Sequence, residues 1–341
     1  MTNVIRLLPA LLLVALLIAP GGSFAQEGDS AVFSLQPVRY DPERPATQSY
    51  FIYDAHSGQR FTDEVRIRNT GTHAGTARLY PVDATTGQNS GPVYLSQADP
   101  RHDVGAWMKL EQTEVSLGPG EERIIRFTVA VPPDARPGQH LGALVAEDIK
   151  LKQGNTQGAL QINLQRRMAL AVQVNLPGPV VEKLVLTNVE SAVQQGYQLL
   201  LLGLRNDGSE MVKATGTLRV TDAAGQEVQQ LALTLDSLLP ETEIDYPVPV
   251  ATQALAAGDY HAVVDLTYGK QGTVHYETTF TITSQQVAQV YTAAGQQLPP
   301  LAPGATLAPA LNGTPRLMMV LALFVSAAMA ITVFIRKRRA T

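Results

Sequence analysis

Ile125-Arg126-Phe127-Thr128-Val129-Ala130-Val131 alternates apolar and smaller or polar residues through seven positions. Successive side chains of a strand point to opposite faces, so this period of two puts Ile125, Phe127, Val129 and Val131 on a core and the others toward water. The same pattern recurs on both sides of it. Met168, Leu170, Val172 and Val174 alternate, as do Leu231, Leu233 and Leu235. Ile244, Tyr246, Val248 and Val250 follow, then Tyr260, Ala262, Val264 and Leu266, and finally Val274, Tyr276, Thr278, Phe280 and Ile282. Turn signals separate the runs: Asn69-Thr70-Gly71, Asn89-Ser90-Gly91, Gly118-Pro119-Gly120, Pro137-Gly138, Asn206-Asp207-Gly208 and Ala257-Gly258-Asp259. Many short strands at this spacing predict an all-β chain built of sandwiches from residue 31 to residue 284. Pro247 and Pro249 have no N–H to donate, so their strand is expected at a sheet edge or to be irregular.

The chain also repeats itself. Val65-Arg66-Ile67-Arg68-Asn69-Thr70-Gly71 matches Leu202-Gly203-Leu204-Arg205-Asn206-Asp207-Gly208. Each copy is expected to continue into a strand that ends in an Asp-containing turn, at Asp83 with Thr86-Gly87 and at Asp222 with Ala224-Gly225. Pro119-Gly120-Glu121 corresponds to Pro240-Glu241-Thr242, and Pro137-Gly138-Gln139-His140 to Ala257-Gly258-Asp259-Tyr260. The offset falls from 137 residues to 121 and then 120, so the first copy holds an insertion of about 16 residues in its middle. Two tandem sandwiches of one type account for this order. They are assigned to 31–176 and 179–284, with the step between them at Asn175-Leu176-Pro177-Gly178-Pro179.

The two ends carry a different signal. Residues 317–335 are 19 positions without a charge, followed by Arg336, Lys337, Arg338 and Arg339. A helix of that length spans about 28 Å, close to the ~30 Å hydrocarbon layer of a bilayer. The basic residues 336–341 then form a cytoplasmic tail. At the other end Arg6, the apolar run 7–19 and Ser23-Phe24-Ala25 predict a signal peptide over 1–25, cleaved before Gln26; an uncleaved signal anchor is the alternative. Residues 285–315, with Pro299-Pro300, Pro303, Pro309 and Pro315, read as a stalk of roughly 90 Å if extended and nearer 30 Å as a coil. The expected arrangement is a single-pass type I protein of the cell membrane with its body outside the cell.

Composition narrows the function. There is no cysteine among 341 residues, so neither disulfides nor thiolate chemistry are available. The net charge of −4 hides a split: residues 26–176 hold 15 basic and 17 acidic residues, whereas 177–284 hold 5 and 13, a net −8. Such an acidic second domain excludes nucleic acid as its partner. The first domain carries 12 arginines, whose forks suit carboxylates, including those of wall peptide stems; the alternative for any single one is that it solvates a strand face. No Gly-x-Ser-x-Gly, His-Glu-x-x-His or phosphate-loop motif occurs. The histidines at 56, 73, 102, 140, 261 and 275 have no metal-ligand spacing, so no catalytic, cofactor or metal residue is assigned. Two stretches remain open. Asp99-Pro100-Arg101-His102-Asp103 gathers charge into one loop, as a contact for calcium or substrate or as a solvated turn. Trp107, opening Trp107-Met108-Lys109-Leu110, either stacks on a sugar or fills the core. Gly142 within a strand marks a bulge or a close backbone approach.

Several features in order resemble the peptidoglycan-binding domain of WxL-interacting proteins. They are Ser49-Tyr50-Phe51, Val65-Arg66-Ile67-Arg68-Asn69, the run from Asp83 to Gly91, Trp107 with Leu110, Leu117-Gly118-Pro119-Gly120-Glu121, and Val131-Pro132 leading to Gly138 and Leu141-Gly142-Ala143-Leu144. The resemblance covers about 33–177. It implies two tandem Ig-like β-sandwich domains, the first associated with peptidoglycan or cell-wall glycopeptide and the second with a host or surface protein partner of the WxL type. The expected function is that of a non-enzymatic, membrane-anchored surface adaptor. The alternative is a chaperone-like assembly factor for surface proteins that uses the same pair of domains.

Overall fold

The computed structural model describes residues 31–150, 152–153, 163–164, 166–250 and 254–293. The leader at 1–25, the later part of 285–315, the apolar run 317–335 and the tail 336–341 lie outside them. No helix among the described residues is long and apolar enough to cross a membrane.

The first domain contains β1 (Phe33–Pro37), β2 (Phe51–Asp54), β3 (Arg60–Asn69), β4 (Gly75–Thr86), β5 (Pro92–Tyr94), the one-turn helix α1 (Val104–Trp107), β6 (Met108–Leu110), β7 (Glu114–Leu117), β8 (Glu122–Ala130), β9 (Gly138–Asp148), the two-residue β10 (Lys152–Gln153) and β11 (Asn163–Leu164), and β12 (Arg167–Leu176). One sheet has the order β1-β3-β8-β6 and the facing sheet β2-β12-β9-β4-β5, with β7 also on β4. β2 joins β12 in parallel, Phe51 opposite Val172. The inward residues are those the alternation selects: Val65, Ile67, Phe127, Val129, Val172 and Val174 are buried completely. Burial of such a side chain contributes roughly 1.5–3 kcal/mol. Phe51 stands edge-on to Phe127 at 5.2 Å between ring centroids and ties β2 to the same core.

The second domain contains β13 (Leu184–Gln194), β14 (Tyr197–Asn206), β15 (Ala214–Asp222), β16 (Glu227–Thr234), β17 (Thr242–Pro249), β18 (Gly258–Tyr268), β19 (Gly272–Ile282) and the helix α2 (Ser284–Ala293). Its sheets run β13-β14-β17 and β16-β15-β18-β19. Pro247 and Pro249 sit on the edge strand β17, as the missing N–H groups require. Val250 donates to Gln198 O, so the even positions face β14 and both prolines present their nitrogens outward.

The internal repeat is physical. Asn69 and Asn206 are both fully buried at the ends of equivalent strands. Asn69 Nδ2 donates to the carbonyls of His73 and Leu117, and its Oδ1 accepts from Gly71 N. Asn206 Nδ2 donates to the carbonyls of Glu210 and Leu238, and its Oδ1 accepts from Gly208 N. The backbone repeats too: Gly120 N donates to Asn69 O and Glu241 N to Asn206 O, each at 2.8 Å. One buried amide thus ties its own turn to a distant backbone segment in each domain.

Two expectations need correction. Asp222 does close a turn, accepting from Ala224 N and Gln226 N. Asp83 does not: β4 runs on to Thr86, and the Asp83 side chain is buried under the inserted segment. The residues from 285 were read as stalk, but 284–293 form α2, which belongs to the second domain. Thr283 and Gln286 make a capping box, with Gln286 N donating to Thr283 Oγ1 and Thr283 N to Gln286 Oε1. Val287 and Tyr291 of α2 then pack on the second core.

Candidate functional site

The insertion gives the first domain what the second lacks. In the second domain β16 stays paired with β15 along its length. In the first, β5 pairs with β4 for three residues, after which the chain crosses to the other sheet and becomes β6 against β8. Residues 95–107 make that crossing, and Asp83 anchors it. Its carboxylate accepts from the backbone N–H groups of His102, Asp103 and Gly105. Gly105 and Gly142 allow α1 to lie on the sheet, since a Cβ at either would collide with the backbone of β4. Trp107 is buried, its ring 4.7 Å from that of His140, so the single tryptophan fills the core and offers no face to a sugar.

An open cleft lies where the crossing segment passes between β4 and β6. Two adjoining hollows of about 480 and 510 Å³ share Gln97, Arg101, Met108 and Lys109. Its floor is apolar, from buried Leu79, Tyr80, Pro81, Met108 and Leu110. Its rim carries Arg78, Arg101 and Lys109 with Gln97, Asp99, Thr113 and Glu114. Arg78 pairs with Glu114 at 3.5 Å. Arg101 Nη1 donates to Pro81 O at 3.4 Å, and neither Arg101 nor Lys109 has an acidic partner among the described residues. Asp99 accepts from Ser96 N at 2.6 Å, which holds its carboxyl below the usual range. Beyond the floor Tyr80 donates to Glu147 Oε2 at 2.7 Å, and burial raises its phenol to about 12. A cleft with an apolar floor and cationic lips can hold an anionic ligand that has an aliphatic body. Of the two stretches left open by the sequence, residues 99–101 and 108–110 line the cleft, whereas His102, Asp103 and Trp107 do not. Arg78 and the Leu79-Tyr80-Pro81 floor were not singled out, because in the sequence they are ordinary strand residues. Among the described residues no group of three or more His, Asp or Glu could hold a metal ion.

The crossing segment also reaches the second domain. Asp103 Oδ1 lies 2.7 Å from His140 Nδ1, and His140 Nε2 lies 2.9 Å from Arg136 O. A carbonyl only accepts, so Nε2 carries a hydrogen. Arg136 then donates to Glu241 Oε2 at 2.9 Å and to Ser209 O. Gln139 N donates to Ser209 O, and Gln139 Oε1 accepts from Met211 N at 2.7 Å. Across the other side of the junction Gly91 N donates to Ser237 O, Asp236 N to Ser90 Oγ and Leu239 N to Thr86 Oγ1. Two of these seven interdomain bonds join backbone to backbone, and the other five use the side chains of Arg136, Gln139, Ser90 and Thr86, so the seam depends on side-chain identity as well as chain shape.

The second domain has a smaller hollow of about 370 Å³ at the turn between β18 and β19, lined by Lys213, Thr215, Tyr268 and Lys270 among others. On its exposed β18–β19 face, His275 sits between Asp265 at 2.6 Å and Glu277 at 3.1 Å. The hydrogen bond to Asp265, then that to Glu277, raises its pKa above the ordinary histidine value.

Two family models match this chain in order. The WxL Interacting Protein peptidoglycan binding domain matches residues 33–148, and the WxL Interacting Protein host binding domain matches residues 155–291. The second match begins ahead of β12, which is structurally the last strand of the first sandwich. No curated protein matches the chain. Among solved structures, a chain of a chaperone–tip adhesin complex of CFA/I fimbriae is 11% identical, with a TM-score of 0.34, covering 73% of this chain and 99% of that one. The YadV chaperone is 10% identical at a TM-score of 0.33, covering 72% and 98%. The CsuC–CsuE pre-assembly complex of Acinetobacter baumannii is 14% identical at 0.32, covering 64% and 91%. Likeness at this level bears on neither partner nor activity.

Proposed function

The chain belongs to the WxL-interacting protein family, and from that premise we propose that it is a non-enzymatic adaptor at the cell surface. Its first domain holds cell-wall peptidoglycan and its second holds a surface protein of the WxL type. The observation that carries this reading is the ordered match of a peptidoglycan-binding and a host-binding model to two sandwiches joined by a continuous seam. The cleft beside the insertion supports the division of labour, because the crossing segment that forms it belongs to the first domain. The helix expected at 317–335, with its basic flank, would anchor the adaptor with both domains outside the cell.

The test is retention of the purified full-length chain, in detergent, on insoluble peptidoglycan at low salt. The expected result is co-sedimentation that the same amount of cellulose does not produce. Passage into the supernatant would overturn the wall-binding half. Protease added to intact cells is expected to digest the body of the chain and spare the Arg-Lys-Arg-Arg end.

A further inference from the structure

The cleft's chemistry selects among the parts of a peptidoglycan strand. The polymer offers sugar rings, recognised by stacking on exposed aromatic faces, and stem peptides, recognised through carboxylates and short aliphatic side chains. The cleft offers no exposed ring. Trp107 faces the core against His140, and Tyr80 is buried in the floor with its hydroxyl committed to Glu147. What it does offer is a pair of cations on its lips, Arg101 and Lys109, with no acidic partner among the described residues. Arg101 is held by Pro81 O through one Nη1 hydrogen, so its remaining N–H groups are left for a ligand in a fixed orientation. Pro81 and Met108 line the same hollow as the two cations and give it an apolar surface suited to alanine-like side chains. The two hollows, at about 480 and 510 Å³, are of the size that holds a short peptide. The rim also carries Asp99 and the Arg78–Glu114 pair, so its three cations exceed its two acids by one and give it a positive sign.

We propose that this cleft binds the peptidoglycan stem peptide by its free carboxylates, with Arg101 and Lys109 as the carboxylate-binding residues and the glycan outside the cleft. The proposal rests on the wall-binding reading, and the experiment separates the two. The full-length chain in detergent is sedimented with intact sacculi, with sacculi stripped of phosphate polymers by hydrofluoric acid, and with glycan freed of its peptides by an amidase. The same measurements are made on Arg101→Gln/Lys109→Gln and on Arg219→Gln, an exposed site in the second domain. Retention is expected on the first two materials and not on the peptide-free glycan. The double variant is expected to lose at least about tenfold in affinity, the loss of one or more charge-assisted contacts, while R219Q is unchanged. A soluble stem tetrapeptide with free carboxylates should compete, and its amidated form should compete at least about tenfold less well. Both lip residues are exposed, so the variant fold is checked by an unchanged thermal midpoint. Equal retention on peptide-free glycan, loss after hydrofluoric acid treatment alone, or full retention of the double variant overturns the proposal. Failure to bind any of the three materials removes the wall-binding reading itself, and this one with it.

Discussion

At the scale of single residues, the two buried asparagines show how little chemistry defines this fold. Asn69 and Asn206 each supply both donors and an acceptor to backbone groups that no other side chain reaches. Replacing Asn69 by Ala removes its bonds to Leu117 O and to the N–H groups of Val32 and Gly71 at a fully buried position. The expected loss is about 2–4 kcal/mol, read as a lower urea midpoint with an unchanged slope. Asn69→Asp should cost a similar amount, since a carboxylate cannot donate to His73 O or Leu117 O. Both asparagines were legible as turn positions from their Asn-x-Gly setting. Their burial was not, because a turn residue is ordinarily taken to be solvated. His275 is held between Asp265 and Glu277 on an exposed face. Its folded pKa is raised by Asp265, so its contribution is present below the unfolded value of about 6.5 and is lost as pH rises through the higher folded value. NMR titration of the imidazole is expected to give a midpoint above 6.5 in the native chain. In Asp265→Asn that midpoint moves down.

At the scale of elements, alternation located most strands and missed the path between two of them. β8, β12, β16, β17, β18 and β19 lie where period two puts them. The crossing from β5 to β6 has no such signal: 95–107 is a loop and one helical turn, held by Asp83 rather than by a pattern of its own. That is also why the cleft was only half legible. Its lips stood out as charge and tryptophan motifs, while its floor looked like any buried strand. The start of α2 was written in Thr283-Ser284-Gln285-Gln286, a capping sequence hidden by the proline-rich composition further on. β17 supplies a prediction of its own. Its outward nitrogens at positions 247 and 249 belong to prolines, which deny two ladder bonds to any incoming strand. Pro247→Thr/Pro249→Thr should restore those donors and open the edge. Size-exclusion chromatography is expected to show concentration-dependent dimers or larger species absent from the parent chain. A strictly monomeric variant would mean that neighbouring acids, such as Glu243 and Asp245, guard the edge instead.

At the scale of the whole molecule, the junction is a structure rather than a tether. Bonds from 86–91 and from 136–139 reach the second domain on two sides, and within that domain Val181 N donates to Ser209 Oγ, which fixes the start of the second domain against the same turn. Gly138 is the tight point. Its φ of +104° is a conformation that a side chain disfavours, and a Cβ there would run into Ser209. Gly138→Ala is therefore expected to loosen the seam without unfolding either core. Small-angle scattering should report a larger radius of gyration, and amide exchange should speed up at Gln139 and Met211. An unchanged profile would assign the junction's stiffness to the Thr86–Thr242 side instead. Were the proposed adaptor pulled between wall and cell, this junction would be where tension crosses from one module to the next. Two loops that meet the neighbouring domain at separate points would share that pull and not surrender to it in turn, so the pair should behave as a single strut.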